Sequence, residues 1–187
     1  MKKVAKFGGS SLASAEQFKK VGAIIEADPA RRFVVPSAPG KRYGSDTKVT
    51  DLLYACYRAA DQTKFQAVLA EIKSRYQEII DGLGLTLSLE EDFGVIEENF
   101  KNQIGEEYAA SRGEYLNGKV MAAYLEYEFV DPAEMIRFDG NGQFDAEITE
   151  LLVQKRLKNV DTAVVPGFYG AKENGEIKTF SRGGSDV

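Results

Sequence analysis

The chain has 187 residues, of which 43% are hydrophobic and 28% are charged, and its formal net charge is −5 at pH 7. This composition is typical of a soluble globular protein with one sizeable core, and an acidic balance without a basic run argues against nucleic acid as the main partner. Because the sequence contains no histidine, Ser-His-Asp and Cys-His catalysis and histidine-ligated metal sites are excluded.

Cysteine content and hydrophobic patterning favour a cytoplasmic protein. Cys56 is the only cysteine, so an intrachain disulfide cannot form, and a reducing compartment is expected. Its position on an apolar helix face predicts a core residue rather than a reactive thiol. Lys2-Lys3 is followed by no apolar stretch, so we expect neither a signal peptide nor a membrane span.

The opening stretch predicts a strand, a glycine turn and a helix. Val4–Phe7 reads as a buried strand, and Gly8-Gly9 leaves the backbone able to approach a ligand closely. Ser11 or Ser14 can cap the following helix. Its apolar face consists of Phe18, Val21, Ile24 and Ile25. The lysine at position 6, the glycine turn and the helix N-terminus together form a phosphate site; taken alone, the glycine pair could equally be a tight turn.

A second strand leads into a long polar loop. Phe33–Val35 is a short apolar strand ended by Pro36, and the loop runs from Ser37 to Thr47. Open parallel sheets bind ligands beyond the carboxyl ends of their strands. The loop is therefore either a solvated connection or a mobile cover over a substrate, and Thr50-Asp51 opens the next helix.

The middle of the chain predicts a helical insertion over about residues 62–107. Phe65 to Ile80 carries apolar residues at sustained helical spacing, and a less regular acidic segment covers Leu89 to Gly105. A third helix is predicted to begin near Ser111.

The remainder returns to alternating strands and helices. Glu128–Val130 and Thr162–Pro166 read as strands, Glu173–Glu176 reads as a hairpin turn, and a helix between the two strands carries apolar residues. Those helix residues are Ile148, Leu151 and Leu152. Taken together with the first two strands, these patterns predict an α/β fold with a mostly parallel sheet and helices on both faces. The Gly8-Gly9 loop and Ser37 should meet at the carboxyl ends of their strands.

The last residues form a second glycine turn. Ser181–Val187 contains Gly183-Gly184 flanked by Arg182, Ser185 and Asp186, a pattern that favours anion binding. Either the segment is a terminal tail, or it is the second phosphate or substrate loop of a larger domain that continues beyond it.

Five motifs in this order resemble those of aspartokinases in the amino acid kinase superfamily, and the resemblance covers essentially the whole chain. The motifs are Lys6-Phe7-Gly8-Gly9-Ser10-Ser11, Ser37-Ala38-Pro39-Gly40, Ser111-Arg112-Gly113-Glu114, Gly167-Phe168-Tyr169-Gly170 and Ser181-Arg182-Gly183-Gly184-Ser185-Asp186. The resemblance implies a three-layer αβα sandwich, usually followed by regulatory ACT domains. It also implies transfer of the γ-phosphoryl group of MgATP to the side-chain carboxylate of aspartate, the first step toward lysine, threonine and methionine.

The resemblance also implies roles for individual residues. Lys6, Gly8, Gly9 and Ser10 would hold the ATP phosphates, and Asp186 would orient the phosphate-binding lysines; Lys6 and Asp186 are thus the catalytic pair. No protein metal ligand is implied. The aspartate pocket would be lined by Ser37, Thr50, Glu114, Phe168, Arg182 and Ser185.

The chemistry agrees with these residue types. An aspartate carboxylate is ionised at pH 7 and needs no general base, so catalysis rests on alignment and charge neutralisation. Arg182 offers a bidentate fork to a carboxylate, and Glu114 offers an acceptor to an ammonium group, although each could instead be a surface charge or a capping group.

Two hypotheses remain for the function. The chain is either the N-terminal portion of an aspartate kinase catalytic domain, inactive alone and oligomeric in its full-length form, or a non-catalytic amino-acid-binding or assembly module derived from such a kinase.

Overall fold

The computed structural model describes residues 2–181, in which strands and helices alternate. The strands are β1 (Lys3–Phe7), β2 (Arg31–Pro36), β3 (Glu128–Phe129), β4 (Arg137–Phe138), β5 (Ala163–Val164), β6 (Tyr169–Lys172) and β7 (Ile177–Thr179). The helices are α1 (Ala15–Glu26), α2 (Val49–Tyr57), α3 (Gln62–Leu83), α4 (Glu90–Lys101), α5 (Glu106–Leu125) and α6 (Ala146–Leu157). Within this part of the chain, no helix is long and apolar enough to cross a membrane.

The main sheet contains four parallel strands in the order β1-β2-β5-β3. Lys6 pairs with Val35, and Val34 pairs with Val164. These strands are the ones that the sequence predicts as neighbours, and that prediction is confirmed. Their runs of β-branched and aromatic residues explain the pairing, because such side chains pack well on a pleated, buried surface.

Helices pack against both faces of this sheet. Val34 and Val164 belong to the larger core cluster, which includes residues of α1, α2, α3 and α5. Ala163 belongs to a second buried cluster, packed by Phe33 and by residues of α6. Because successive strand residues point to opposite faces, the two clusters lie on opposite sides of the sheet. The chain therefore has the predicted α/β architecture with a parallel sheet between helical layers.

The segment predicted to be a helical insertion, residues 62–107, contains α3 and α4. α3 is capped by the Asp61 side chain, which accepts a hydrogen bond from the Lys64 N–H, and it ends at Gly84, whose φ of 69° is left-handed. Its buried residues are Phe65, Leu69, Ile72, Arg75, Tyr76, Ile79 and Ile80. The periodic apolar stripe is thus confirmed, and it packs α3 against α1 and α2.

Some local expectations at helix ends and faces are wrong. Helix α5 begins at Glu106, not near Ser111. Gly105, directly before it, has a φ of 142°, which is not a helical conformation, so the helix starts after this residue. Of the two alternative caps predicted for α1, Ser14 is confirmed, because its side chain accepts a hydrogen bond from the Gln17 N–H, while Ser11 lies in a short 3-10 turn before the helix. The expected apolar-face residues Ile24, Ile148 and Leu151 are exposed.

Strand β1 is also less buried than its sequence predicts. Among residues 2–181 it lies at one end of the strand order and pairs with a strand on one side only, and Val4 is 69% exposed. The expectation of a buried strand is therefore wrong for Val4, although the strand itself and its pairing with β2 are present.

A second, smaller sheet has the order β4-β6-β7. β6 and β7 form the antiparallel hairpin that the turn at Glu173–Glu176 predicts, while β4 pairs with β6 in parallel. Rings of Phe138, Phe144 and Phe180 pack together beside it, with centroids 4.9–6.2 Å apart. The hairpin fixes the position of the segment that comes after β5.

Candidate active site

The glycine turn and the loop after β2 meet at the carboxyl edge of the main sheet. The Gly40 N–H donates to the Gly9 carbonyl at 2.8 Å, and the Ser37 N–H donates to the Phe7 carbonyl at 3.0 Å. The predicted meeting of the two loops is therefore confirmed. A Cβ at Gly9 would lie 2.7 Å from the Ala38 carbonyl oxygen, so only glycine allows this approach.

An added side chain would have free space at Gly8, unlike at Gly9. A Cβ at Gly8 would meet nothing within 4 Å, and Gly8 and Ser10 are both exposed. Backbone N–H groups at such a turn, in front of a helix, are the arrangement that binds phosphate. The turn therefore leaves space for an anionic ligand on the side away from the Ser37–Gly40 loop.

Helix α5 packs directly beneath the Ser37–Gly40 loop. The Asn117 Nδ2 group donates to the Ser37 carbonyl at 2.7 Å, and Glu114 accepts a hydrogen bond from the Ala38 N–H. A Cβ at Gly113 would lie 2.8 Å from the Ala38 side chain, so the helix approaches the loop through a position that has no side chain.

Glu114 is a buried carboxyl group at this contact. Glu114 lies near the middle of α5, and the residue is only 7% exposed. Burial raises the pKa of Glu114 to about 7, and the hydrogen bond from the Ala38 N–H opposes that rise. Its Oε2 atom has no hydrogen-bond partner among the described residues. A buried acceptor without a partner is costly, and a cationic group bound beside it would remove that cost.

Asn117 is a site residue that the sequence reasoning missed. Its Oδ1 atom is buried and also lacks a partner among residues 2–181. Asn117 lies three residues after Glu114, so the two side chains share one face of α5. Its bond goes to a backbone carbonyl 80 residues away, so no pattern of residue types in the sequence indicates it.

Thr50 reaches the same edge through the start of α2. The Val49 N–H donates to the Pro39 carbonyl at 3.2 Å, and Thr50 is half-buried in the first turn of the helix. This places Thr50 beside the Ser37–Gly40 loop, as the predicted pocket requires.

Phe168 comes after β5 at the same edge. The Gly167 N–H donates to the Pro36 carbonyl at 3.2 Å, so the segment passes next to the residue preceding Ser37. Phe168 has a φ of 78°, a left-handed conformation that is unusual for a large side chain and that occurs often at functional sites.

The other predicted site residues are not all placed together. Lys6 is exposed on β1, in register with Val35, and its side chain leaves the sheet on the face opposite α5. Arg182, Ser185 and Asp186 lie outside the described residues. Glu114, expected beside a helix end, instead lies well inside α5.

The fold and the site at the edge of the sheet can now be compared with known protein families. The family model described as "Amino acid kinase family" matches residues 1–187, and the chain belongs to that family.

The relatives are more specific. The chain is 41% identical to aspartokinase 3 of Bacillus subtilis, over 99% of this chain and 44% of that protein, and 26% identical to the aspartokinase of Chlamydia trachomatis, over 98% and 43%. The aspartate kinase structure of Clostridium acetobutylicum superposes with a TM-score of 0.92 at 47% identity, over 98% of this chain and 42% of that one. Aspartokinase III of Escherichia coli, solved with aspartate and ADP, shares the fold with a TM-score of 0.78 at 23% identity, over 100% and 45%. The chain thus spans less than half the length of these proteins.

Proposed function

We propose that the chain provides the amino-acid pocket and the first phosphate loop of an aspartate kinase. The observation that carries this proposal is the unpartnered Oε2 atom of buried Glu114, one hydrogen bond away from the loop that contacts Gly9. A free amino acid brings an ammonium group, which fits that acceptor. The similarity to aspartokinase 3 of B. subtilis supports aspartate as the amino acid.

ATP would bind through its phosphates at Gly8, Gly9 and Ser10. The exposed turn in front of α1 offers backbone N–H groups and a helix N-terminus. Lys6, two residues earlier, would add a positive charge to the γ-phosphoryl group. That the E. coli aspartokinase III was solved with ADP supports a nucleotide for proteins of this fold.

The protein would not need to supply a general base for this reaction. The β-carboxylate of aspartate attacks the γ-phosphorus, a P–O bond forms as the bond to the β–γ bridging oxygen breaks, and ADP leaves. The carboxylate is already ionised, so positioning and charge neutralisation account for catalysis. Ser37, Thr50 and Phe168 would line the pocket, Arg182 and Ser185 would bind the substrate carboxylate, and Asp186 would orient the lysines.

Mg²⁺ would enter as part of the MgATP substrate. Residues 2–181 contain no group of three or more acidic, histidine or cysteine side chains that could hold a metal ion. In the proposed reaction the cation would be carried mainly by the nucleotide phosphates, where it would neutralise charge on the transferred group.

The domain arrangement is also a proposal. Because the relatives are more than twice as long, we infer that the chain forms the first part of the catalytic domain. We also propose, from the resemblance of its motifs and its single cysteine, that the whole gene product is a cytoplasmic homo-oligomer. We expect the 187-residue chain alone to lack turnover.

A coupled assay of ADP release tests the proposal. The whole gene product and the 187-residue chain are each assayed with MgATP and aspartate, glutamate or N-acetylglutamate. We expect ADP release from the whole gene product that depends on aspartate and is much slower with the other two acids. Equal release without any amino acid, or a preference for N-acetylglutamate, would contradict the assignment.

A further inference from the structure

The most deeply buried ion pair among the described residues joins α3 to the loop after β2. The side chains of Arg75 and Asp46 are 2% and 4% exposed, and Arg75 Nη1 lies 3.1 Å from Asp46 Oδ2. Burying a charged pair costs free energy unless further hydrogen bonds satisfy both partners. Such an arrangement in a loop therefore calls for an explanation beyond stability.

Arg75 also holds both ends of that loop. Its Nη2 group donates to the Gly40 carbonyl at 2.9 Å, and its Nη1 group donates to the Thr47 carbonyl at 3.0 Å. One planar guanidinium fork thus fixes two backbone carbonyls that are seven residues apart in sequence. A lysine could not reproduce this geometry, because its donors diverge from a single nitrogen.

A second arginine completes the contact from the loop side. The Arg42 Nε and Nη2 groups donate to the two Asp46 oxygens at 3.0 and 3.1 Å, and Nη1 donates to Glu78 of α3 at 2.8 Å. These bonds hold the pKa of Asp46 well below its usual range. The loop is therefore attached to α3 at several points.

The two backbone positions that Arg75 holds lie next to the proposed site. Gly40, held by Arg75, donates its N–H to the Gly9 carbonyl at 2.8 Å. Thr47, also held by Arg75, lies three residues before Thr50. The guanidinium therefore acts on the glycine turn and on the proposed aspartate pocket through backbone atoms, without contacting either ligand itself.

We propose that Arg75 is a positioning residue that sets the affinity for the amino-acid substrate by fixing the backbone at Gly40 and Thr47. The proposal rests on the proposed function for the identity of the substrate. It gives the helical insertion a part in the site, since α3 supplies the arginine.

The test compares four variants of the whole gene product. Arg75→Met removes the fork, and Arg75→Lys keeps the charge without it. Arg75→Met/Asp46→Asn removes the fork together with its carboxylate partner, so that no ionised aspartate stays buried with Arg42 as its one charged partner. Lys73→Met is the matched control. Lys73 lies on α3, like Arg75, and its substitution removes an exposed ion pair with Glu90.

We expect the double variant to fold with near wild-type stability and to raise the aspartate KM at least about tenfold, with an ATP KM within about twofold of wild type. Arg75→Lys should raise the aspartate KM by an intermediate factor, and Lys73→Met should leave it unchanged. A merely structural role would lower the active fraction, and so kcat, without moving KM. An unchanged aspartate KM in the folded double variant would overturn the proposal.

Limited trypsin digestion separates this inference from the proposed function. Lys41 and Arg42 lie in the loop that Arg75 fixes, and Lys48 directly follows it. We expect faster cleavage at these residues in the double variant than in Lys73→Met. If the wild type shows no aspartate-dependent turnover, the proposed function fails, and cleavage decides the role of Arg75 alone. Unchanged cleavage would overturn it.

Discussion

At the scale of single residues, Glu114 combines burial with an unpartnered oxygen. Its protonated form is favoured in the folded chain, because desolvation outweighs the hydrogen bond from the Ala38 N–H and raises its pKa to about 7. An ammonium group bound beside Oε2 would reverse that preference by favouring the carboxylate. The residue is therefore poorly satisfied without a ligand, which is typical of a binding site rather than of a structural contact.

This property predicts a pH dependence of stability. The pKa of Glu114 rises from an ordinary 4.5 to about 7 in the folded chain. The stabilisation of the fold that comes from protonated Glu114 is therefore fully present below about pH 4.5 and is lost as the pH rises through 7. Glu114→Gln mimics the protonated form. We expect equal free energies of unfolding near pH 4.5 and a gain of roughly 3 kcal/mol for the variant near pH 8. Urea unfolding measures this gain, and a difference that is constant across that range would contradict the assignment.

The glycine pair predicts opposite tolerances at adjacent positions. Gly9→Ala places a Cβ 2.7 Å from the Ala38 carbonyl oxygen, whereas Gly8→Ala meets nothing within 4 Å. We expect Gly9→Ala to lower the free energy of unfolding by about 1–3 kcal/mol and Gly8→Ala to leave it nearly unchanged while raising the ATP KM. Chemical denaturation and steady-state kinetics measure both. Equal stability of the two variants would show that the loops do not depend on this close approach.

At the scale of elements, α5 is the helix on which the site depends. It contacts β2, β3 and β5, and it carries Glu114 and Asn117 beneath the Ser37–Gly40 loop. Its approach to the sheet is close because Gly118 faces Pro166 and Phe129, where a Cβ would lie 2.3 and 3.0 Å from ring atoms.

Substitution of Gly118 should therefore displace the helix. We expect Gly118→Ala to cost about 1–3 kcal/mol of stability and to raise the aspartate KM, because Glu114 lies one turn away. Gly94→Ala is the control: it lies on the exposed side of α4 with nothing within 4 Å of an added Cβ, and it should stabilise the helix by up to about 1 kcal/mol. Thermal unfolding would measure both, and a stabilised Gly118→Ala would disprove the close packing of α5 on the sheet.

The parallel sheet and the meeting of its two loops could be predicted from sequence, because continuous apolar strands such as Phe33–Val35 place their carboxyl-end loops at one edge. The start of α5 could not. The prediction missed the residues from Glu106 to Ala110, because the helix starts where Gly105 adopts a φ of 142°, and a glycine in a sequence does not reveal which conformation it adopts. The helix continues through Ser111 and Gly113, which are weak helix formers. Arg112 lies between them and stacks over the rings of Tyr108, Tyr115 and Tyr169, with its guanidinium carbon 4.5–5.2 Å from the ring centroids.

The roles of Arg75 and Asn117 were also beyond sequence reasoning. Arg75 sits in the apolar stripe of α3, and its partners are the backbone carbonyls of Gly40 and Thr47. Asn117 bonds a carbonyl 80 residues away. Contacts to backbone atoms leave no pattern of paired residue types in the sequence, so only the fold reveals them. The strands of the second sheet are two to four residues long, too short to show a period.

At the scale of the whole molecule, one face of the main sheet is less covered than the other. Val4 and Lys6 of β1 are exposed on one face, whereas Val34 and Val164 on the opposite face are fully buried. The site lies at the sheet edge between these faces, where the glycine turn, α2 and α5 meet. The proposed function divides this edge into amino-acid binding on the α5 side and phosphate binding at the exposed turn.

The most direct test of this division is the steady-state kinetics of Glu114→Gln in the whole gene product, with Glu106→Gln, an exposed position on the same helix paired with Arg58, as the control. We expect Glu114→Gln to raise the aspartate KM at least about tenfold and to leave the ATP KM within about twofold, while Glu106→Gln changes neither. An unchanged aspartate KM in a folded Glu114→Gln enzyme would contradict the assignment of amino-acid binding to α5.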